Sequence, residues 1–328
     1  MKTVLLTGAN GFLGGHLCRE LLGRGYAVRA FVRADADRRA IDGLPVEVWT
    51  GDLRDPVSVL AAVQGCQYVI HAGARAQVNP ARSREVVDVN VGGTAVVLAA
   101  AVRADVERLV YVGTANVFGF GAKKKPGDES HPYMGDRYGS DYMDSKRAAT
   151  DLVLRAVRED GLPAVLVHPT FMIGPLDYTI TSNALLLALY RQQIVGVPTG
   201  GKNYVYVGDV ATATVNALTM GRVGESYILG NENLSYRETF GMMALVMNVR
   251  PPTMPVPPVL ATAIGWASEL KYKLTGRRAT LNSSMTAIAN DGHYFTATKA
   301  LDELSLPQTP VHIAVAQAFD WFRQHDYL

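Results

Sequence analysis

The feature that most narrows the fold lies in the first fifteen residues. An apolar run, TVLLTG at 3–8, passes through ANGFL into the helix-period stretch GGHLCRELLGRG. Gly8, Gly11 and Gly14 keep a G-x-x-G-x-x-G spacing across that junction. A strand that turns on glycine into a helix offers an anion free N–H groups and the positive end of the helix dipole. Glycine turns the backbone there, lets a pyrophosphate approach, and seats the helix on the strand. The spacing, in its strand–turn–helix setting, predicts a dinucleotide-binding turn over Gly8, Asn10, Gly11, Phe12, Leu13 and Gly14.

The following sequence repeats the same rhythm. AVRAFVR (27–33), VEVWTGD (46–52), YVIHAGA (68–74), RLVYVGT (108–114) and AVLVHPT (164–170) are short apolar runs separated by helix-period segments. Near-continuous apolar strands alternating with helices describe an α/β chain: a Rossmann-type, right-handed, doubly wound parallel sheet buried on both faces. After about residue 172 the pattern changes to helices interrupted by prolines, as in RPPTMPVPPV. We expect residues 1–171 plus about 204–231 to form the nucleotide-binding domain. About 172–203 plus 232–328 would form a smaller, mainly helical substrate-binding domain. With 328 residues, 48% of them hydrophobic, the chain can bury two such cores.

A net charge of +2 leaves no basic footprint for nucleic acid. The one basic run, KKK at 123–125, reads as a solvated loop tip. Cys18 and Cys66 form no pattern, and no signal sequence precedes the first strand, so a reduced, cytoplasmic protein is expected. No uninterrupted apolar run reads as a transmembrane segment. The apolar stretch PVLATAIGWASELKYKL reads instead as a cover over a core or a substrate cavity. No cluster has metal-ligand spacing, so no metal is expected.

At the second strand's end, where an acidic residue would hold a free ribose 2′-hydroxyl, stand Val32 and Arg33, with Arg38 and Arg39 nearby. Guanidinium suits a phosphate dianion, which favours NADP(H) over NAD(H). Alternatively, Arg33 is merely solvated and Asp35 or Asp37 bends back to the ribose. Further on, DYMDSK places Tyr142 and Lys146 four residues apart, one turn along a helix. An ammonium beside a phenol favours the phenolate and brings its pKa toward the working range. Tyr138 has no lysine four residues after it and reads as lining the cleft or surface. His71 and His168 could serve as bases, but histidines at strand ends are more often structural donors.

These segments together resemble the extended short-chain dehydrogenase/reductases over essentially the whole chain. GDLRD (51–55) is similar to the family's G-D-x-x-D segment, VIHAGA (69–74) to the strand whose small residues pass the cofactor, and NVGGT (90–94) to its N-x-x-G-T helix start. VGTANVFG (112–119) resembles the S/T-x-x-V-Y-G segment, YMDSK the Tyr-x-x-x-Lys pair, and HPTFMIGP (168–175) the R-P-x-x-x-x-G-P segment. The resemblance implies an NADP cofactor, or NAD, held additionally by Arg33, Asp52 facing the adenine, Leu53, Ala72, Gly73, Ala74, Tyr142, Lys146 and Pro169. It implies Tyr142 as general acid/base, Lys146 as its pKa-tuner and ribose ligand, and Thr114 as the donor that orients the substrate oxygen. It also implies a homodimer through the helices near 85–104 and 142–160.

Two departures bear on the substrate. His168 replaces the family's frequent arginine, and Phe171, flanked by Met172, replaces the asparagine that epimerases commonly place near a substrate diphosphate. An apolar side chain gives a diphosphate no hydrogen bonds. The look is closest to the dihydroflavonol-reductase and 3β-hydroxysteroid-dehydrogenase-like branch. The expected function is therefore NADP(H)-dependent reduction of a ketone, or oxidation of the alcohol, on a mostly apolar small molecule, with Thr114, Phe171 and Met172 against it. The rivals are a nucleotide-sugar epimerase or dehydratase that retains its cofactor, and a non-catalytic NADP-binding regulator.

Overall fold

The computed structural model describes residues 1–275 and 282–328. Eleven strands are present among them: β1 Thr3–Thr7, β2 Ala27–Val32, β3 Glu47–Thr50, β4 Tyr68–His71, β5 Arg108–Val112, β6 Ala164–Pro169, β7 Phe171–Ile173, β8 Gly201–Tyr206, β9 Ser226–Leu229, β10 Glu232–Ser235 and β11 Gly292–His293. The helices that position the site are α1 Phe12–Gly23, α2 Pro56–Val63, α3 Arg84–Val87, α4 Gly93–Arg103, α5 Asp141–Asp160, α6 Ala184–Tyr190, α7 Val207–Asn216, α8 Tyr236–Met247, α9 Pro258–Thr275, α10 Ser283–Asn290, α11 Thr298–Leu304 and α12 Val311–Gln324.

Seven strands make the main sheet, in the order β3-β2-β1-β4-β5-β6-β9, and every pairing is parallel. The apolar runs explain this: β4 and β6 are buried at every position, as strands covered on both faces must be. Alternate residues go to opposite faces. Leu6 and Val110 join a core with Leu17 of α1 and Val210 of α7. Leu5 and Leu109 join the other core, with Val63 of α2 and Val153 of α5. The strand order reverses between β1 and β4, which opens a ligand crevice at the strands' C-terminal ends. Register keeps those ends level, with Thr7 opposite both Phe31 and His71.

The remaining strands form a second sheet, in which β8 pairs parallel with β7 and β11 and antiparallel with β10. The part of the chain read as mainly helical thus carries a small sheet beside its helices. Packing divides within β8: Tyr204 belongs to a third core with Ile173, Phe240 and Phe322, and Val205 to the first.

Three sequence expectations change. Among the described residues, the continuous helical stretch 84–103 is long and apolar enough to cross a bilayer. It turns through a π-helical segment, Asp88–Gly92, and buries Val97, Leu98 and Ala101 in the second core. Lys123 is no idle loop tip, because its ammonium bridges both carboxylate oxygens of Glu238 on α8, at 2.7 and 2.6 Å. Tyr138 is buried, and its hydroxyl donates to Asp291 at 2.5 Å.

Candidate active site

The glycine turn is as tight as its spacing requires. Gly8 adopts φ +70°, and a Cβ on it would lie 2.7 Å from the Cα of Gly73 at the end of β4. A Cβ on Gly14 would lie 2.1 Å from the Gly8 carbonyl oxygen, so α1 sits directly on the turn. Gly11 is the N-cap of α1, with no side chain bonded to the first N–H groups. Phe12 and Leu13 bury their side chains in the first core, which leaves backbone N–H groups as what this turn can offer a phosphate. The Asn10 amide donates to the Asp37 carbonyl at 3.1 Å and ties the turn to the loop after β2.

The other expected cofactor contacts gather along the same edge. Arg33 is exposed and pairs with Asp35, and its charge also acts on Asp52. Of the two acids that could bend back to a ribose, Asp37 is held by Arg39 at 2.6 Å and Asp35 faces Arg33 at 3.5 Å. Asp52 takes Arg54 in a two-pronged pair at 2.9 and 2.5 Å, which holds its carboxyl down at about 2. Leu53 wedges between Gly73 and Gly93, at each of which a Cβ would lie about 3 Å from it. Ala72 and Gly73 are half-buried, Ala74 is exposed, and Pro169 is buried at the end of β6. The bare cradle and the unbonded helix start fit the pyrophosphate of a dinucleotide.

Tyr142 and Lys146 lie one turn apart on α5. Lys146 is only 4% exposed, and its ammonium donates to the Val112 carbonyl at 2.7 Å and sits 4.7 Å from the Tyr111 ring centre. Burial lowers its pKa to about 7. Burial raises the Tyr142 phenol, and hydrogen bonding with Thr114 acts against that rise. Thr114, just past β5, also accepts from the Asn116 N–H at 3.4 Å. The structure thus brings the three expected catalytic side chains together at one strand end.

A polar chain joins this group to the glycine turn. The Gly73 N–H donates to the Thr7 hydroxyl at 3.0 Å, which meets His71 Nδ1 at 2.8 Å; His71 Nε2 meets the Thr94 hydroxyl at 3.0 Å. Thr94 donates its own proton to the Asn90 carbonyl at 2.6 Å, and the Asn90 amide donates to Ser145 on α5 at 3.0 Å. Since Thr94 has committed its proton, it accepts from Nε2–H, and Nδ1 accepts from Thr7. Neutral His71 therefore satisfies every partner and is a structural link, not a second base. Burial lowers its pKa to about 3, against an ordinary value of 6.5, so its contribution to stability is present above pH 6.5 and lost as pH falls toward 3. His71→Ala is expected to destabilise the fold by about 2–4 kcal/mol at pH 7. Urea unfolding at pH 7 and pH 5 should also show the wild type losing about 2 kcal/mol more than the variant between them. His168 is likewise buried, wedged against the Gly113 backbone with Phe118 edge-on at 4.9 Å, and its Nε2 meets the Ser226 hydroxyl at 3.1 Å.

In front of Thr114 lies a cavity lined by Asn116, Phe171, Lys202, His293 and Phe295 among others. Phe171 is on the wall of that cavity. Met172 turns to the opposite face of β7 and packs against the first core. Lys202, His293 and Asn116 were not anticipated. Lys202 and His293 come from strands 91 positions apart in the chain, brought side by side by the β8–β11 pairing. No short motif carries that juxtaposition.

A parallel sheet with a phosphate cradle at its switch point, and a Tyr–Lys–Thr group beside it, defines a nicotinamide-dinucleotide oxidoreductase fold. Residues 4–230 match the NAD dependent epimerase/dehydratase family. A putative dihydroflavonol 4-reductase of Synechocystis is 31% identical, covering 98% of this chain and 95% of its own. Sterol demethylase protein B of Methylococcus capsulatus is also 31% identical, covering 98% of both chains. The crystal structure of gox2253 superposes with a TM-score of 0.87 at 31% identity, covering 99% of both chains. The chain belongs to the NAD dependent epimerase/dehydratase family and is an NAD(P)-dependent enzyme of the extended short-chain dehydrogenase/reductase type.

Proposed function

We propose that the protein is an NADP(H)-dependent reductase of a ketone on a mostly apolar small molecule, and in reverse a dehydrogenase of the secondary alcohol. The observation that carries this reading is the cavity itself: Thr114 opens onto it beside the Phe171 and Phe295 rings, which give a substrate apolar contact next to the polar side chains of Asn116, Lys202 and His293. When bound, the nicotinamide supplies or accepts the hydride. The residues of the chain do the rest. Thr114 orients the carbonyl oxygen and donates to it as negative charge develops. Tyr142 delivers the proton to that oxygen in reduction and withdraws it in oxidation. Lys146, one turn away, favours the phenolate when it is protonated and holds the ribose side of the cofactor in register with the acid. The dinucleotide would be held by the turn from Gly8 to Gly14, by Asp52 and Leu53, and by the small residues after β4. The relatives' names, dihydroflavonol reductase and sterol demethylase protein, support a mostly apolar ring or chain bearing the carbonyl.

Consumption of NADPH against a panel of ketones, 3-oxoacyl compounds and sugar nucleotides tests the reading. Stoichiometric oxidation of NADPH with an apolar ketone is expected. Turnover of a sugar nucleotide alone, with no net cofactor loss, would overturn it.

The NADP preference rests on Arg33. Arg33→Asp is expected to lower the kcat/KM ratio of NADPH over NADH by roughly 10- to 100-fold, since one charge-assisted contact is lost and a repulsion gained. An unchanged ratio would remove Arg33 from the 2′-phosphate site.

A further inference from the structure

We propose that the substrate carries a single carboxylate besides its ketone, and that Lys202 receives it. This rests on the ketone-reduction reading and narrows the substrate class of the same site. Lys202 lies in the middle of the second sheet, opposite Leu234 of β10 and beside His293 of β11, and it lines the cavity onto which Thr114 opens. Among the described residues no carboxylate stands within 4 Å of its ammonium and no hydrogen bond reaches it; its neighbour is the Phe171 ring, 5.3 Å away. The other placed lysines are matched or open to water. Lys2, Lys123 and Lys299 pair with Glu107, Glu238 and Glu225, Lys146 has the Val112 carbonyl, and Lys124 and Lys125 are exposed.

The nearby acids are already engaged. Glu232 on the adjacent strand accepts from the Val311 N–H at 2.8 Å, and Asp291 is held by Arg137 at 2.9 Å and by Tyr138. No aspartate or glutamate lines the cavity. His293 cannot supply a second charge. It stacks 4.2 Å from Phe120, and burial, with the Lys202 and Arg137 charges, keeps its imidazole neutral. The cavity therefore holds one unmatched positive charge among aromatic walls. Withdrawing an ammonium from water is costly unless a partner compensates it. Burial brings the Lys202 pKa down to about 8, a strain that a bound anion would relieve.

The donor set selects a monoanion. The Asn203 amide is committed to the Asn231 carbonyl, the Asn233 side chain and the Phe295 carbonyl, and the Thr170 hydroxyl to Asn203. Besides Lys202, that leaves the NH2 group of Asn116, whose Oδ1 already meets His293 Nδ1 at 3.3 Å, and Thr114, the latter needed at the ketone. A diphosphate would find too few donors, whereas one carboxylate is matched by one ammonium and one amide.

Two measurements test this. The first compares kcat/KM for oxoalkanoates, with two to five carbons between ketone and carboxylate, against their methyl esters, in the wild type, Lys202→Met and Lys202→Arg. The wild type is expected to favour the acid in at least one pair by roughly 10- to 100-fold. That ratio should collapse toward one in Lys202→Met, through KM, and survive in Lys202→Arg. Equal acid and ester throughout in the wild type, or a preference kept in Lys202→Met, would overturn the proposal. The second is calorimetric binding of decanoate to the NADP-loaded protein, which needs no turnover. A loss of at least about tenfold in Lys202→Met is expected, and an equal Kd would overturn the proposal. If no ketone is reduced but decanoate binding still depends on Lys202, the ketone reading falls and the carboxylate site stands.

Discussion

Tyr142→Phe is expected to lower kcat for ketone reduction by roughly 10²- to 10⁴-fold while leaving NADPH affinity within about twofold. The substitution removes one hydroxyl and keeps the ring, so the packing around the N-terminal turn of α5 survives. It removes the group that would hand a proton to the substrate oxygen, and Thr114, whose aliphatic hydroxyl is far less acidic than a phenol, cannot replace it. Reduction by the wild type should weaken as pH rises through the phenol pKa, because the acid form is the donor. Burial raises that pKa and hydrogen bonding with Thr114 opposes the rise. Steady-state rates and fluorescence titration of NADPH on the same preparation separate the two effects. Near-wild-type turnover with intact cofactor binding would remove Tyr142 from the chemistry.

The second large effect concerns the cradle. Gly14→Ala places a methyl 2.1 Å from the Gly8 carbonyl oxygen and 2.7 Å from Ala9 backbone atoms. Both neighbours are backbone, so no side chain can swing aside, and α1 must lift from the turn. A loss of about 2–4 kcal/mol in stability is expected, with NADPH affinity weakened at least about tenfold. Gly23, at the other end of the same helix, is the matched control, because nothing lies within 4 Å of a Cβ there. Gly23→Ala should be neutral or stabilising by about 0.5–1 kcal/mol. Urea unfolding and NADPH titration of both variants check the pair. Equal behaviour would mean that close backbone approach at Gly14 does not constrain the site.

Much of the sheet was legible because its signals are local. TVLLTG, YVIHAGA and AVLVHPT each announce a buried strand by composition, and the glycine spacing announces the turn between β1 and α1. The Tyr142–Lys146 pair was legible for the same reason, since both members lie within one helical turn. The cavity wall was not. Lys202 and His293 meet only because β8 and β11 pair, and β11 is two residues long, too short for a strand signature. Tyr138 looked like a cleft or surface tyrosine because its partner, Asp291, lies 153 positions away. Lys123 read as a solvated charge because Glu238 lies 115 positions away. His71 was open between base and structural donor until the proton of Thr94 was traced to Asn90, which only coordinates allow.

Transfer of label from the cofactor tests the central claim most directly. The enzyme would be incubated with NADPH carrying deuterium at the transferable C4 position and an apolar ketone, and the alcohol analysed by mass spectrometry and NMR. One deuterium on the carbinol carbon per NADPH consumed is the expected result. Alcohol lacking the label, or turnover that leaves the NADPH unoxidised, would contradict it.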